Sequence, residues 1–257
     1  MLELKQIETF YPQNLRPFRK NMLREYLQYK ILQIIFDSSF GRSLCFMGGT
    51  AIRIAHGNTR FSEDLDFDNL GLNRREFEEF SKVLERQLKL EGYSVQAESV
   101  IKGAMHCQVK FEDILFDNKI SGHREEKLLI QVDAESQKFA YVPQKEIINK
   151  FDIFTRINLT PVELLLAQKF TCIFTRKRPM GRDFYDIMFL AGKARPDFKY
   201  LKAKLDIADK KVLKEKVLRR CETFDFNQLA KDVEPFLFNS SDSKKILAFK
   251  EYIAEVF

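Results

Sequence analysis

The segment SLCFMGG, residues 43–49, constrains the fold more than any other part of this chain. An apolar run this short, closed by two glycines, reads as a buried strand. TAIRIAHG follows at once and has room only for a short helix before the next turn. Three residues later, FSEDLDFDNL alternates acidic and apolar side chains, with Asp64, Asp66 and Asp68 on one side and Leu65 and Phe67 on the other. That is strand periodicity.

The rest of the pattern extends this beginning into an α+β fold. Before it, residues 14–37 place Leu23, Leu27, Ile31, Ile34 and Ile35 at helical intervals. After it, a charged amphipathic helix is expected over 73–90, closed by Glu91 and Gly92. Candidate strands follow at YSVQAESV, MHCQVKFEDILF and EKLLIQVDAES, separated by polar or glycine-containing turns. With the two earlier strands they make a mixed sheet of about five strands flanked by helices.

Past Tyr141-Val142-Pro143 the character changes. TPVELLLAQKFTCIFTR is expected to be a helix with Thr160 as N-cap, Pro161 in its first position and Glu163 three residues past the cap. RDFYDIMFLAGK and the segments beyond it add further helices. The division expected is therefore an α/β domain over 1–150, with its N-terminal helix, and a helical region over 151–257.

Composition narrows the class. Charged residues at 31% and hydrophobic residues at 45% fit an ordered chain. The formal charge of +6 permits attraction to phosphate-rich partners without placing it anywhere. The 25 phenylalanines are dispersed on mixed faces, as core residues are. Cys45, Cys107, Cys172 and Cys221 have neither metal-knuckle spacing nor the pattern of an oxidised scaffold, which favours a reducing cytoplasm. No segment approaches the length of a membrane helix or of a conventional signal, so no membrane partner is expected. No heptad seam appears, which leaves a monomer as the simpler state. Nucleophile-elbow, Cys-x-x-Cys and HExxH patterns are absent, and hydrolase and zinc chemistry lose their support.

What remains is chemistry of phosphates and hard cations. Gly48 and Gly49 permit close approach of a ligand, and the helix behind them presents N–H groups that favour a phosphate. Taken alone, such a pair is more simply a turn. Asp64 and Asp66 project like charges to one face, where Mg²⁺ would compensate them, although an exposed acidic edge explains them equally well. Asp68 reads as a turn residue or a solvent-facing charge. Asp133, at the end of the apolar strand LLIQVD, is the leading third carboxylate, against a plain strand-end charge or a cap; Glu135 shares its face and Glu112 stands in reserve. Lys169 rises from an apolar helix and can reach a phosphate as a point charge; Arg176, Lys177, Arg178 and Arg182 cluster near a Pro-Met-Gly break. Asp183 and Asp186 share a helical face. His56 reads as structural, and His106 and His123 have no ligand-like surroundings.

Taken in order, Gly48-Gly49-Thr50-Ala51-Ile52-Arg53 after a strand, then Arg60-Phe61-Ser62-Glu63-Asp64-Leu65-Asp66-Phe67, then Lys169, Arg182-Asp183 and Asp186, resemble the nucleotidyltransferase superfamily. Within it they are most similar to the AbiEii/AbiGii toxin family, over about residues 20–195. The resemblance implies a nucleotidyltransferase fold with a helical C-terminal region. It implies Mg²⁺, or Mn²⁺ in its place, on Asp64 and Asp66, with Asp133 as the third carboxylate. Nucleotide phosphates would sit at Gly48, Gly49 and Thr50, with Lys169, Arg53, Arg60 and Arg182 in nucleotide binding or in bracing the site. Asp183 and Asp186 would organise metal or assist as bases. The implied reaction transfers NMP from an NTP to a hydroxyl, with tRNA as acceptor, in a toxin-antitoxin or phage-defence unit whose antitoxin is encoded next door. Two other readings stand beside it: a small-molecule transferase of the antibiotic-modifying type, and a nucleotide- or RNA-binding protein without activity.

Overall fold

The computed structural model describes residues 1–102 and 104–257. Helices α1 (Leu4–Glu8), α2 (Arg19–Asp37), α3 (Gly48–His56), α4 (Arg74–Leu90), α5 (Ile114–Asp117), α6 (Val162–Thr175), α7 (Gly181–Ala191), α8 (Phe198–Leu205), α9 (Lys210–Cys221), α10 (Phe226–Val233) and α11 (Phe249–Val256) alternate with and then follow the strands. The strands are β1 (Leu44–Met47), β2 (Leu65–Asn69), β3 (Val95–Lys102), β4 (Ala104–Phe111), β5 (Leu128–Glu135), β6 (Gln144–Lys150) and β7 (Ile153–Leu159). Two compact units divide the chain: residues 1–56 with 61–159, and residues 57–60 with 160–257.

The first unit is a mixed seven-stranded sheet in the order β3-β4-β5-β2-β1-β7-β6. The apolar strand β1 lies inside it, antiparallel to β2 and parallel to β7. β2 runs parallel to β5, which sets Asp66 opposite Asp133. Leu65, Phe67, Ile130 and Val132 are buried with Phe77, Phe80 and Leu84 of α4. The alternation visible in the sequence thus sorts core from site: apolar residues go inward, and Asp66 and Asp133 stay half-buried on the other face.

Four expectations are corrected. The sheet has seven strands rather than about five, because β6 and β7 form a hairpin turning at Phe151 and Asp152, with Phe151 at φ 60°. No glycine or asparagine marks that turn. Phe151 is held in its left-handed conformation by edge-on packing against Phe10, Tyr26 and Tyr29, with ring centroids at 4.9, 5.3 and 5.3 Å. A boundary at 150/151 falls inside this hairpin, whereas the compact units divide at 159/160. The strand expected through EDILF ends at Phe111, since Asp113 is left-handed and Ile114–Asp117 coils into a short helix. Thr160 is not the N-cap of α6; that position falls on Pro161, whose extended ψ of 144° brings the chain into the helix. The glycine turn expected after YSVQAESV lies outside the described residues.

The second unit is helical. Phe184 of α7 sits at its centre, edge-on to Phe224, Phe226 and Phe249. α7 begins at Gly181, where a Cβ would run into the Leu229 carbonyl of α10, so the two helices pack at backbone distance. The short segment 57–60 joins this unit through backbone bonding between Arg60 and Leu237 and from the Phe238 N–H to the Thr59 carbonyl.

Candidate active site: a glycine turn, paired carboxylates and a buried ion cluster

The turn from β1 into α3 is built around Gly48. Its φ is +78°, a conformation side chains disfavour, and a Cβ there would run into the Asp66 carboxylate. Both facts require glycine, and together they bring the carboxylate onto the first turn of α3. The N–H groups of that turn have no intrahelical acceptor and favour negative charge. The Thr50 hydroxyl is turned inward, donating to the Asp64 carbonyl, so the turn and the start of β2 are tied together. Gly49 and Thr50 are buried.

Asp64 lies just before β2, and its carboxylate accepts from the Gln131 backbone N–H at 3.4 Å. Asp66 lies on the strand, in register with Asp133 on β5. Asp133 accepts 2.9 Å hydrogen bonds from the Gln131 side chain on both oxygens, and its Oδ1 is 2.7 Å from His106 Nδ1 on β4. Among the described residues no three His, Cys, Asp or Glu side chains converge on a metal position. What the geometry offers is two half-buried carboxylates, Asp66 at the start of α3 and Asp64 against the Gln131 N–H. That set suits Mg²⁺, which takes one or two protein carboxylates and completes its shell with waters and substrate phosphates.

Two neighbouring acids play other parts. Asp68, read from the sequence as a turn residue or solvent-facing charge, is buried on β2 and accepts from the Gln137 N–H and the Tyr141 hydroxyl, each at 2.8 Å. Glu112 pairs with Lys127 at 2.6 Å.

α3 is fixed from behind by Arg53. Its guanidinium forks onto Glu25 of α2 at 2.8 and 3.2 Å. Glu25 is 2% exposed and also receives Lys150 at 2.6 Å and the Tyr11 hydroxyl at 2.8 Å. Burial pushes the Glu25 carboxyl up, but attraction from Arg53 and Lys150 outweighs it and holds the group below its ordinary value. Burial lowers Lys150 despite its bond to Glu25, and its ammonium lies 4.1 Å from the centroid of the Tyr11 ring.

The second unit gathers the other motif residues into a buried ion cluster. Asp186 receives Arg60 through two hydrogen bonds, at 2.7 and 2.6 Å, together with the Asn58 amide at 2.8 Å and Lys169 at 2.9 Å. Lys169 is also 3.3 Å from Asp183, which takes a further 2.9 Å bond from Arg176. Both aspartates are fully buried, and Lys169 is 8% exposed. Desolvation would raise Asp186, yet Arg60 and Lys169 hold it below the usual carboxylate range; in turn Asp186 and Asp183 lift Lys169 against its own burial. Arg182 is half-buried in the first turn of α7.

The first unit thus assembles Gly48, Gly49, Thr50, Asp64, Asp66 and Asp133, and the second assembles Arg60, Lys169, Asp183 and Asp186. Sequence reasoning missed the partners: Glu25 for Arg53, with Tyr11 and Lys150 in turn on Glu25, Gln131 and His106 for Asp133, and Asn58 for Asp186. No local motif marks them: Gln131 sits two residues from Asp133 on β5, and the others are brought in from distant elements. None of the four cysteines forms a disulfide, and burial pushes Cys107 and Cys221 up to about 12, away from the thiolate a nucleophile needs.

Residues 30–254 match the family described as "Nucleotidyl transferase AbiEii toxin, Type IV TA system". This chain belongs to the AbiEii nucleotidyl transferase toxin family. The matched range takes in the glycine turn, the paired carboxylates and the buried ion cluster alike. Two solved structures are similar in fold. JHP933 from Helicobacter pylori has 14% identity over 92% of this chain and 91% of its own, with a TM-score of 0.59. A candidate nucleotidyltransferase, also from H. pylori, has 14% identity over 92% of this chain and 94% of its own, with the same TM-score. At such identity the likeness is one of fold. No curated protein matches the chain in sequence. No helix among the described residues is long and apolar enough to cross a membrane.

Proposed function

We propose that this AbiEii-family chain is a Mg²⁺-dependent nucleotidyltransferase. It moves NMP from an NTP to a hydroxyl of tRNA and acts in the cytoplasm as the toxin of a toxin-antitoxin or phage-defence pair. The observation that carries the reading is the Asp66 carboxylate seated on Gly48 at the start of α3, with Asp64 two residues before it. Acids that bind a cation and N–H groups that bind phosphate then lie together, as a nucleoside triphosphate requires.

Mg²⁺ held by Asp64 and Asp66, or Mn²⁺ in its place, would offset charge on the reacting phosphate and lower the pKa of a bound hydroxyl. The chain's own groups orient the substrate. Backbone N–H groups at Gly48, Gly49 and Thr50 receive phosphate oxygens, and the bond from Thr50 to the Asp64 carbonyl keeps that turn from shifting as they do. Asp133, steadied by Gln131 and His106, lies in register with Asp66, and it would join the pair as a third carboxylate only by turning from those partners. Arg53 acts on the site by fixing α3. Within the second unit, Lys169 is shared between Asp183 and Asp186, and Arg60 holds Asp186 in place. The acceptor oxygen attacks the α-phosphate, its proton leaves with solvent, and pyrophosphate departs.

The test incubates the full chain with Mg²⁺, total RNA and each NTP in turn, labelled at the α-phosphate. Labelled tRNA formed by the wild type and missing with Asp66→Ala supports the reading. Labelled small molecules or protein instead of RNA would replace the acceptor, and no label anywhere would end the transferase reading.

A further inference from the structure

The positive charge of this chain is concentrated in one place. Residues 198–221, spanning α8 and α9, hold nine lysines and arginines against three carboxylates, an excess that equals the formal +6 of all 257 residues. Everything outside these 24 residues is therefore neutral as a whole. Leu213, Val217 and Cys221 turn one face of α9 into the core, and Tyr200 and Leu201 do the same for α8. Lys199, Lys202, Lys204, Lys211 and Arg219 are left exposed.

We infer that the exposed basic side chains of α8 and α9 form the surface on which the RNA acceptor lays its phosphodiester backbone. Rows of basic side chains on helices neutralise successive phosphates and release counterions, and charge gathered on one face attracts a polyanion where the same charge spread evenly would not. An acidic protein partner fits the face less well. Protein interfaces rest on buried aromatic and aliphatic anchors and are poor in lysine, and none of the exposed large hydrophobic side chains lies within 198–221.

The C-terminal end of α9 adds a feature suited to a nucleotide. Arg220 enters a cleft also lined by Lys177 and Arg178, with its guanidinium 5.0 Å from the centroid of the Phe224 ring. An arginine beside an aromatic face stacks bases without reading their sequence. The two carboxylates of the cleft are already engaged, Asp232 with Arg178 at 3.1 Å and Asp225 as the N-cap of α10. This face supplies the acceptor contact of the proposed transfer and rests on that reading.

Binding of deacylated tRNA, followed by fluorescence anisotropy across a salt series, tests the inference on the full chain. The triple variant Lys199→Ala, Lys211→Ala, Arg219→Ala is compared with Arg75→Ala, Lys82→Ala, Arg86→Ala, which removes as much charge from exposed positions of α4. The α8–α9 variant is expected to bind about tenfold more weakly and to show a salt slope shallower by about 2, while the α4 variant keeps the wild-type slope. Equal losses in both variants would reduce the effect to bulk charge and overturn the inference. So would unchanged binding in the α8–α9 variant, or competition by poly-glutamate as strong as that by tRNA at equal charge. None of these outcomes touches the loss of label in Asp66→Ala, so the surface and the transferase reading fail separately.

Discussion

Two residues show most clearly what the site demands of single side chains. Gly48 is constrained by its positive φ and by the Asp66 carboxylate lying where a Cβ would be. Gly48→Ala is expected to cost about 1–3 kcal/mol in urea unfolding and to lower nucleotidyl transfer more than its stability loss explains, because the carboxylate itself must move. Asp186 is constrained by charge. Asp186→Asn leaves Arg60 and Lys169 short of a buried counter-charge and is expected to cost about 3–5 kcal/mol. Since Asp186 is held below its ordinary 3.8 in the folded chain, the stability it contributes is complete above that value and is lost as the pH falls through it toward the folded value. Unfolding measured between about pH 5 and 3 is therefore expected to fall less steeply in Asp186→Asn than in the wild type.

Elements matter here through the way they are anchored. α3 presents its N-terminus to the paired acids, and its other end is tied by Arg53 to a glutamate 28 residues away on α2. Glu25→Gln keeps the shape and removes the charge that Arg53 and Lys150 share. The expected outcome is NTP affinity weakened severalfold in calorimetric titration, with a lowered Tm; unchanged affinity at a lowered Tm would make Glu25 a stability residue only. The same scale shows what could be read from sequence. β1, α3 and β2 were legible because glycines and the alternation of acids with Leu65 and Phe67 are local signals. β6 and β7 were not, since the left-handed position of their turn falls on Phe151, no turn former, and is enforced by aromatic rings contributed from α2 and the N-terminal arm. The N-cap of α6 moved by one residue for a related reason, with proline geometry prevailing over hydroxyl capping.

At the scale of the molecule, two units divide the motif residues between them. The order of the motifs along the chain was legible and placed the protein in its family. Their saturation by partners was not: nothing in RDFYD announces that both aspartates are fully buried among Arg60, Lys169, Arg176 and Asn58. The gathering of the net charge on α8 and α9 was present in the sequence as a lysine-rich segment, but only the structure separates its exposed lysines from its core face.

The central claim is that Asp66, seated on Gly48, serves transfer of the α-phosphate. Doubly labelled NTP tests it most directly, one label at the α-phosphate and one at the γ-phosphate, with wild type and Asp66→Asn compared in tRNA and Mg²⁺ at matched Tm. The α label is expected on tRNA and the γ label in pyrophosphate, one for one, with a loss of about a hundredfold or more in Asp66→Asn. Transfer of the γ label to the acceptor, or an Asp66→Asn rate equal to the wild type, would contradict the account.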